Sequence, residues 1–121
     1  MKLHSALLMT VRVTGLIELI LGIMFWTGNA QALIRGHILL GVLLTLALFA
    51  IIYMAYRAGI VRWLVALSAI WALGLPIWGL TQDRIFPDAY LWLAQVLHLL
   101  CALGAMGLAE ILGAQIRKKS A

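Results

Sequence analysis

Four long apolar stretches, separated by short polar breaks, set the pattern of the chain. In the first, residues 6–26, Arg12 and Glu18 interrupt the run. Gly15 and Gly22 fall one turn either side of Glu18, so one stripe is small and polar while Leu, Ile, Val and Met cover the rest. Residues 27–31 read as the first turn. In the second stretch, His37, Gly41, Thr45, Leu48 and Ile52 recur at helical steps, which turns the histidine inward. Arg57, Ala58, Gly59 and Arg62 mark a short basic turn. The third stretch puts Ser68, Trp71, Ala72 and Leu75 on one side and contains Pro76, which frees a carbonyl and can kink a helix. Residues 81–88 read as the longest and most polar connection, with Asp88 as N-cap of the last helix. That helix aligns Gln95, His98, Ala102, Ala105 and Ala109.

Each stretch supplies the roughly 20 apolar residues needed to cross a hydrocarbon layer about 30 Å thick. The expected fold is therefore an all-α integral membrane four-helix bundle, a single domain over 1–121 with spans near 6–26, 33–56, 61–80 and 89–114. Composition agrees: 65% of the 121 residues are hydrophobic and only 11% charged, and the mean hydropathy is +1.09. Such a chain cannot keep a water-soluble surface, and its partner is the lipid bilayer.

The net charge of +5 does not point to nucleic acid, because the basic residues cluster at helix ends. Lys2, Arg57, Arg62, Arg117, Lys118 and Lys119 share one side, against Arg35 and Arg84 on the other. This places both termini in the cytoplasm, in a bacterial inner membrane. Trp26, Trp78, Tyr90 and Trp92 then form an outer aromatic belt, and Tyr53, Tyr56 and Trp63 an inner one. Ala30-Gln31-Ala32 has the small-x-small form of a signal cleavage site, but Arg12 and Glu18 break the preceding apolar core, so the first segment is expected to be retained. The single cysteine, Cys101, excludes an intrachain disulfide and reads as a small core residue.

Chemistry enters with two histidines inside predicted spans. The second and fourth helices run the same way, and His37 precedes Arg57 by 20 residues while His98 precedes Arg117 by 19. At about 1.5 Å per residue the two imidazoles share one layer, in the outer half of the membrane. Two imidazoles at one depth, small residues for a flat macrocycle and an apolar wall are what a b-type haem inserted between helices requires. His37 and His98 are thus the candidate iron ligands. Gly41 and Ala102 lie one turn below them, Gln95 is a candidate hydrogen-bond partner for His98, and Arg35 a candidate partner for a haem propionate through a long, snorkelling side chain. Arg35 points off the His37 face, and independent hydrogen bonding of each histidine to a carbonyl stays open. His4 reads as a solvated terminal residue.

Arg12 and Glu110 fall in the cytoplasmic half and can pair across adjacent first and fourth helices. Glu18 finds no cationic partner in the pattern. It is the candidate catalytic group as a proton acceptor, with a hydrogen bond to a haem-site residue, or a neutral carboxylic acid bonded to a carbonyl, as the alternatives.

The layout resembles the small transmembrane b-type cytochromes, four-helix bundles that hold haem by histidine pairs. Arg35-Gly36-His37-Ile38-Leu39-Leu40-Gly41 is similar to the helix in such proteins where an axial histidine is followed by glycine. The likeness covers the second and fourth helices and offers one histidine pair where several such families have two. It implies one-electron transfer between a quinol or other small reductant and an acceptor. Glu18 supports a rival: small multidrug-resistance transporters are similar in length and carry a membrane-embedded glutamate in the first helix, although Thr14-Gly15-Leu16-Ile17-Glu18 does not reproduce its surroundings there. A non-catalytic membrane subunit is the third reading, and a bundle this small can form a homo-oligomer to complete a site.

Overall fold

The computed structural model describes residues 2–121. They form α1 (Leu3–Trp26), α2 (Ile34–Arg57), α3 (Arg62–Ile85) and α4 (Leu91–Ser120), with single 3-10 turns at Gln31–Leu33 and Asp88–Tyr90. All four helices are long and apolar enough to cross a membrane. Large side chains such as Leu39, Leu46 and Ile70 cover the outside, as lipid demands. The protein is built as an integral membrane four-helix bundle.

The first two connections are tight because glycine ends each helix. After α1, Gly28 takes a φ of 82°, and the N–H groups of Gly28 and Asn29 donate to the carbonyls of Phe25 and Met24. After α2, Gly59 takes a φ of 68°, and Gly59 and Ile60 donate in the same pattern to Tyr56 and Ala55. Both are Schellman caps, which satisfy the last carbonyls and reverse the chain within a few residues. Ile60, just beyond the second cap, is buried beneath it.

The third connection departs from the sequence expectation. Residues 81–85 remain helical, and α3 stops only at Phe86, whose extended backbone is what the following Pro87 imposes. Asp88 does not cap α4; it opens the 3-10 turn and makes no side-chain cap bond. Residues 81–85 are thus the last turn of α3, and the connection itself is Phe86 and Pro87 with the 3-10 turn that follows. Pro76 sits inside α3 without ending it.

In cross-section α1 and α3 each pack between α2 and α4, and α2 and α4 also meet across the short diagonal. The bundle has a solid half and a hollow half. The solid half lies at the end shared by the termini and the α2–α3 turn, where Leu8, Val11, Leu48, Ile51, Leu64, Ala105, Leu112 and Ile116 form one buried cluster. A small residue lets a side chain close in there: a Cβ on Gly113 would stand 2.3 Å from Cδ1 of Leu8. Lys119 closes this end by donating from Nζ to the Gly59 carbonyl at 2.8 Å.

His4 belongs to the solid half and is only 5% exposed. The expectation of a solvated terminal residue fails because α1 begins at Leu3, so His4 heads the inward stripe that continues through Leu8, Val11, Gly15 and Glu18. The expected Arg12–Glu110 pair is present and bidentate, with Nε donating to one carboxylate oxygen and Nη2 to the other at 2.9 Å.

Candidate functional site

In the opposite half the four helices border a partly open cavity of about 640 Å³. Its size is that of a cofactor or small-molecule site. Glu18 and Gly22 of α1, His37 and Gly41 of α2, Pro76 and Gly79 of α3, and Gln95, His98 and Ala102 of α4 line it, among Leu, Ile and Val side chains. Glycine or alanine lines it on all four helices, at Gly22, Gly41, Gly79 and Ala102.

His37 and His98 therefore share one cavity, on the two helices that meet across the diagonal. Nδ1 of His37 lies 2.7 Å from Oε2 of Glu18, close in distance though not aligned as a hydrogen bond. The other face of the imidazole is set by Phe25, whose ring stands nearly perpendicular with centroids 5.3 Å apart. Gly41 faces the carboxylate, and a Cβ there would lie in ordinary contact with it, 3.6 Å from Oε2. Glu18 is buried, and its second oxygen, Oε1, has no protein partner. Of the roles open to Glu18, the structure sets it beside a histidine: depth placed it near the histidine layer, and the rotation of α1 against α2 turns it onto His37.

His98 is turned against α3. A Cβ on Gly79 would stand 2.8 Å from Cε1 of His98 and 3.1 Å from Nε2, so only glycine admits the ring there. Nδ1 of His98 is buried without a hydrogen-bond partner; Gln95 lines the same cavity but does not supply one. Two indole groups bracket this histidine. Trp71 donates to the Cys101 carbonyl at 2.8 Å, and Trp78 donates to the Ala94 carbonyl at 3.2 Å. Donors and acceptors are each seven residues apart, so two tryptophans fasten α3 to α4 one turn on either side of His98. Trp78, expected in the outer aromatic belt, is instead half-buried on this seam and packed against Phe86 at 5.7 Å.

Arg35 is exposed and stands outside the cavity lining. Two residues along a helix is about 200° of rotation, which carries it away from His37. Polar groups at the cavity come instead from Gln31, Gln82 and Gln95, and Oε1 of Gln82 is buried without a partner. Gln31, Gln82, Phe25 and Gly79 were not singled out in the sequence. Gly79 was findable only as a glycine one turn beyond Leu75 on the inward side of the third span. Thr45 also lines the cavity but donates its hydroxyl to the Gly41 carbonyl at 2.8 Å.

Among the described residues, no group of three or more His, Cys, Asp or Glu is arranged to hold a bare metal ion. Two imidazoles can serve as axial ligands only where a macrocycle supplies the remaining positions. No family model, no curated protein and no solved structure matches this chain.

Proposed function

We propose that the protein is a membrane b-type cytochrome that binds one haem in the hollow half of the bundle, where His37 and His98 would hold it. The observation that carries this reading is that both histidines line one largely apolar cavity, with Nδ1 of His37 2.7 Å from a carboxylate oxygen of Glu18. A metal-ligating histidine typically directs its second nitrogen to a carboxylate or carbonyl, leaving the other for the metal. The remaining features fit a flat, largely apolar group: glycine or alanine on the walls at Gly22, Gly41, Gly79 and Ala102, and aliphatic side chains between them. Gln31, Gln82 and Gln95 are the groups offered to propionates, in place of Arg35.

When bound, the haem would supply one-electron chemistry. Glu18 would hold the His37 ring and accept a proton from a quinol or other small reductant, and the apolar walls would exclude water. The basic bias of the solid end orients both termini toward the cytoplasm, so the cavity faces the outer half of a bacterial inner membrane. The deciding experiment is the absorption spectrum of protein purified from haem-replete cells. A sharp Soret band that shifts on dithionite reduction supports the cytochrome, and a colourless, folded protein counts against it.

A second reading rests on the unpartnered Oε1 of Glu18 in the same cavity. A membrane-embedded carboxyl facing an open chamber is also the core of a proton-coupled transporter. There Glu18→Gln abolishes proton-driven uptake of a lipophilic cation by proteoliposomes, whereas an unaltered uptake rate removes this alternative.

A further inference from the structure

The Arg12–Glu110 pair lies on the outer surface of the bundle. The two side chains are 51% and 42% exposed where α1 and α4 meet, although Arg12 stands nine residues inside α1. At about 1.5 Å per residue this depth is in the hydrocarbon, beyond easy snorkelling to a headgroup. Hydrocarbon cannot solvate the charges, and charged side chains in membrane spans ordinarily face protein or water. The guanidinium uses two of its five N–H donors on Glu110, which leaves three donors without a partner in the pair.

We infer that this face docks a second copy of the same chain. The surface is self-complementary in charge: one cation and one anion sit side by side at the same depth. A two-fold axis along the membrane normal preserves depth and exchanges the copies, so Arg12 of each protomer faces Glu110 of the other. Two half-exposed pairs then become one four-charge cluster shielded from lipid.

The flanking positions permit the approach. On α4, Gly107 lies one turn before Glu110, is exposed, and has open space where a Cβ would stand. Leu103 and Ala114 continue the same stripe, and Met9 and Leu16 flank Arg12 on α1. Small residues beside a polar pair are the ordinary means of bringing transmembrane helices together, because backbones can then make close dispersion contacts. The face belongs to the solid half and leaves the haem cavity untouched, so it stands independently of the cofactor.

The test uses full-length protein, labelled separately with donor and acceptor, and co-reconstituted in phosphatidylcholine bilayers over a dilution series. Wild type should show energy transfer above random proximity, with efficiencies that fit a dimer. Arg12→Leu/Glu110→Leu and Gly107→Leu should each need at least about tenfold more protein per lipid to reach the same transfer. The charge reversal Arg12→Glu/Glu110→Arg, which keeps the pair, and Gly74→Leu, at an open glycine on α3, should associate as wild type does. Circular dichroism and gel filtration confirm that each variant is folded. Wild type that stays monomeric at every density overturns the proposal, and so does either seam variant associating normally, or loss of association in a folded control.

Discussion

His37 of α2 and Glu18 of α1 approach to 2.7 Å between Nδ1 and Oε2, inside a cavity that otherwise offers mostly hydrocarbon. The contact fixes which imidazole nitrogen stays available. With Nδ1 facing the carboxylate, Nε2 is the atom left for a ligand.

His37→Ala and His98→Ala are each expected to lose the bis-histidine haem spectrum, because either change removes one of the two proposed haem ligands. His4→Ala, in the solid half away from the cavity, should keep it. Normal reduced and oxidised spectra in either of the first two would falsify the ligand assignment.

Replacing Glu18 by Leu leaves the His37 ring without its anchor while preserving an apolar wall. Loss of a partner that orients a metal ligand typically weakens binding about 10–100-fold. Haem titration of the apoprotein should show a drop of that order with helicity unchanged, and wild-type affinity would remove Glu18 from the site.

Gly79→Ala puts a methyl group 2.8 Å from Cε1 of His98, on a ring held in place by the Trp71 and Trp78 fastenings on either side. The imidazole has to shift. The expected readout is a changed haem spectrum or reduced occupancy in a protein of unaltered stability, whereas Gly74→Ala, facing open space on the same helix, should change neither.

Removing Arg12 alone strands a carboxylate at membrane depth, whereas removing both partners leaves only apolar surface. Arg12→Leu should therefore unfold at lower denaturant in detergent than Arg12→Leu/Glu110→Leu. Equal midpoints would show that Glu110 finds another partner or water.

The two halves should differ in their tolerance of truncation. Leu112, fully buried in the solid half, has no route to relaxation when shortened. Leu112→Ala should cost about 2 kcal/mol of unfolding free energy, the low end of the usual range, because lipid removes the aqueous transfer term and leaves the cavity term. Val42→Ala, on the wall of an existing cavity, should cost far less in the same unfolding assay.

The chain pattern by itself determined four spanning helices, the glycine-ended turns, and the depth at which His37, His98 and Glu18 lie. These are one-dimensional quantities: hydrophobic run length, left-handed turn chemistry, and rise per residue. It also made the Arg12–Glu110 pair legible, since two opposite charges in lipid at one depth have few alternatives. It misread residues 81–88, because polar composition suggested a loop where Pro87 alone decides the helix end. Arg35, the partner of Glu18, the burial of His4 and the inward turn of Trp78 were decided only in three dimensions. Depth follows from counting along one helix, but facing depends on how neighbouring helices are rotated against one another. Gly113 against Leu8 and Gly79 against His98 show where a glycine lets a neighbouring helix's side chain in, and the other half of this bundle stays hollow around two histidines.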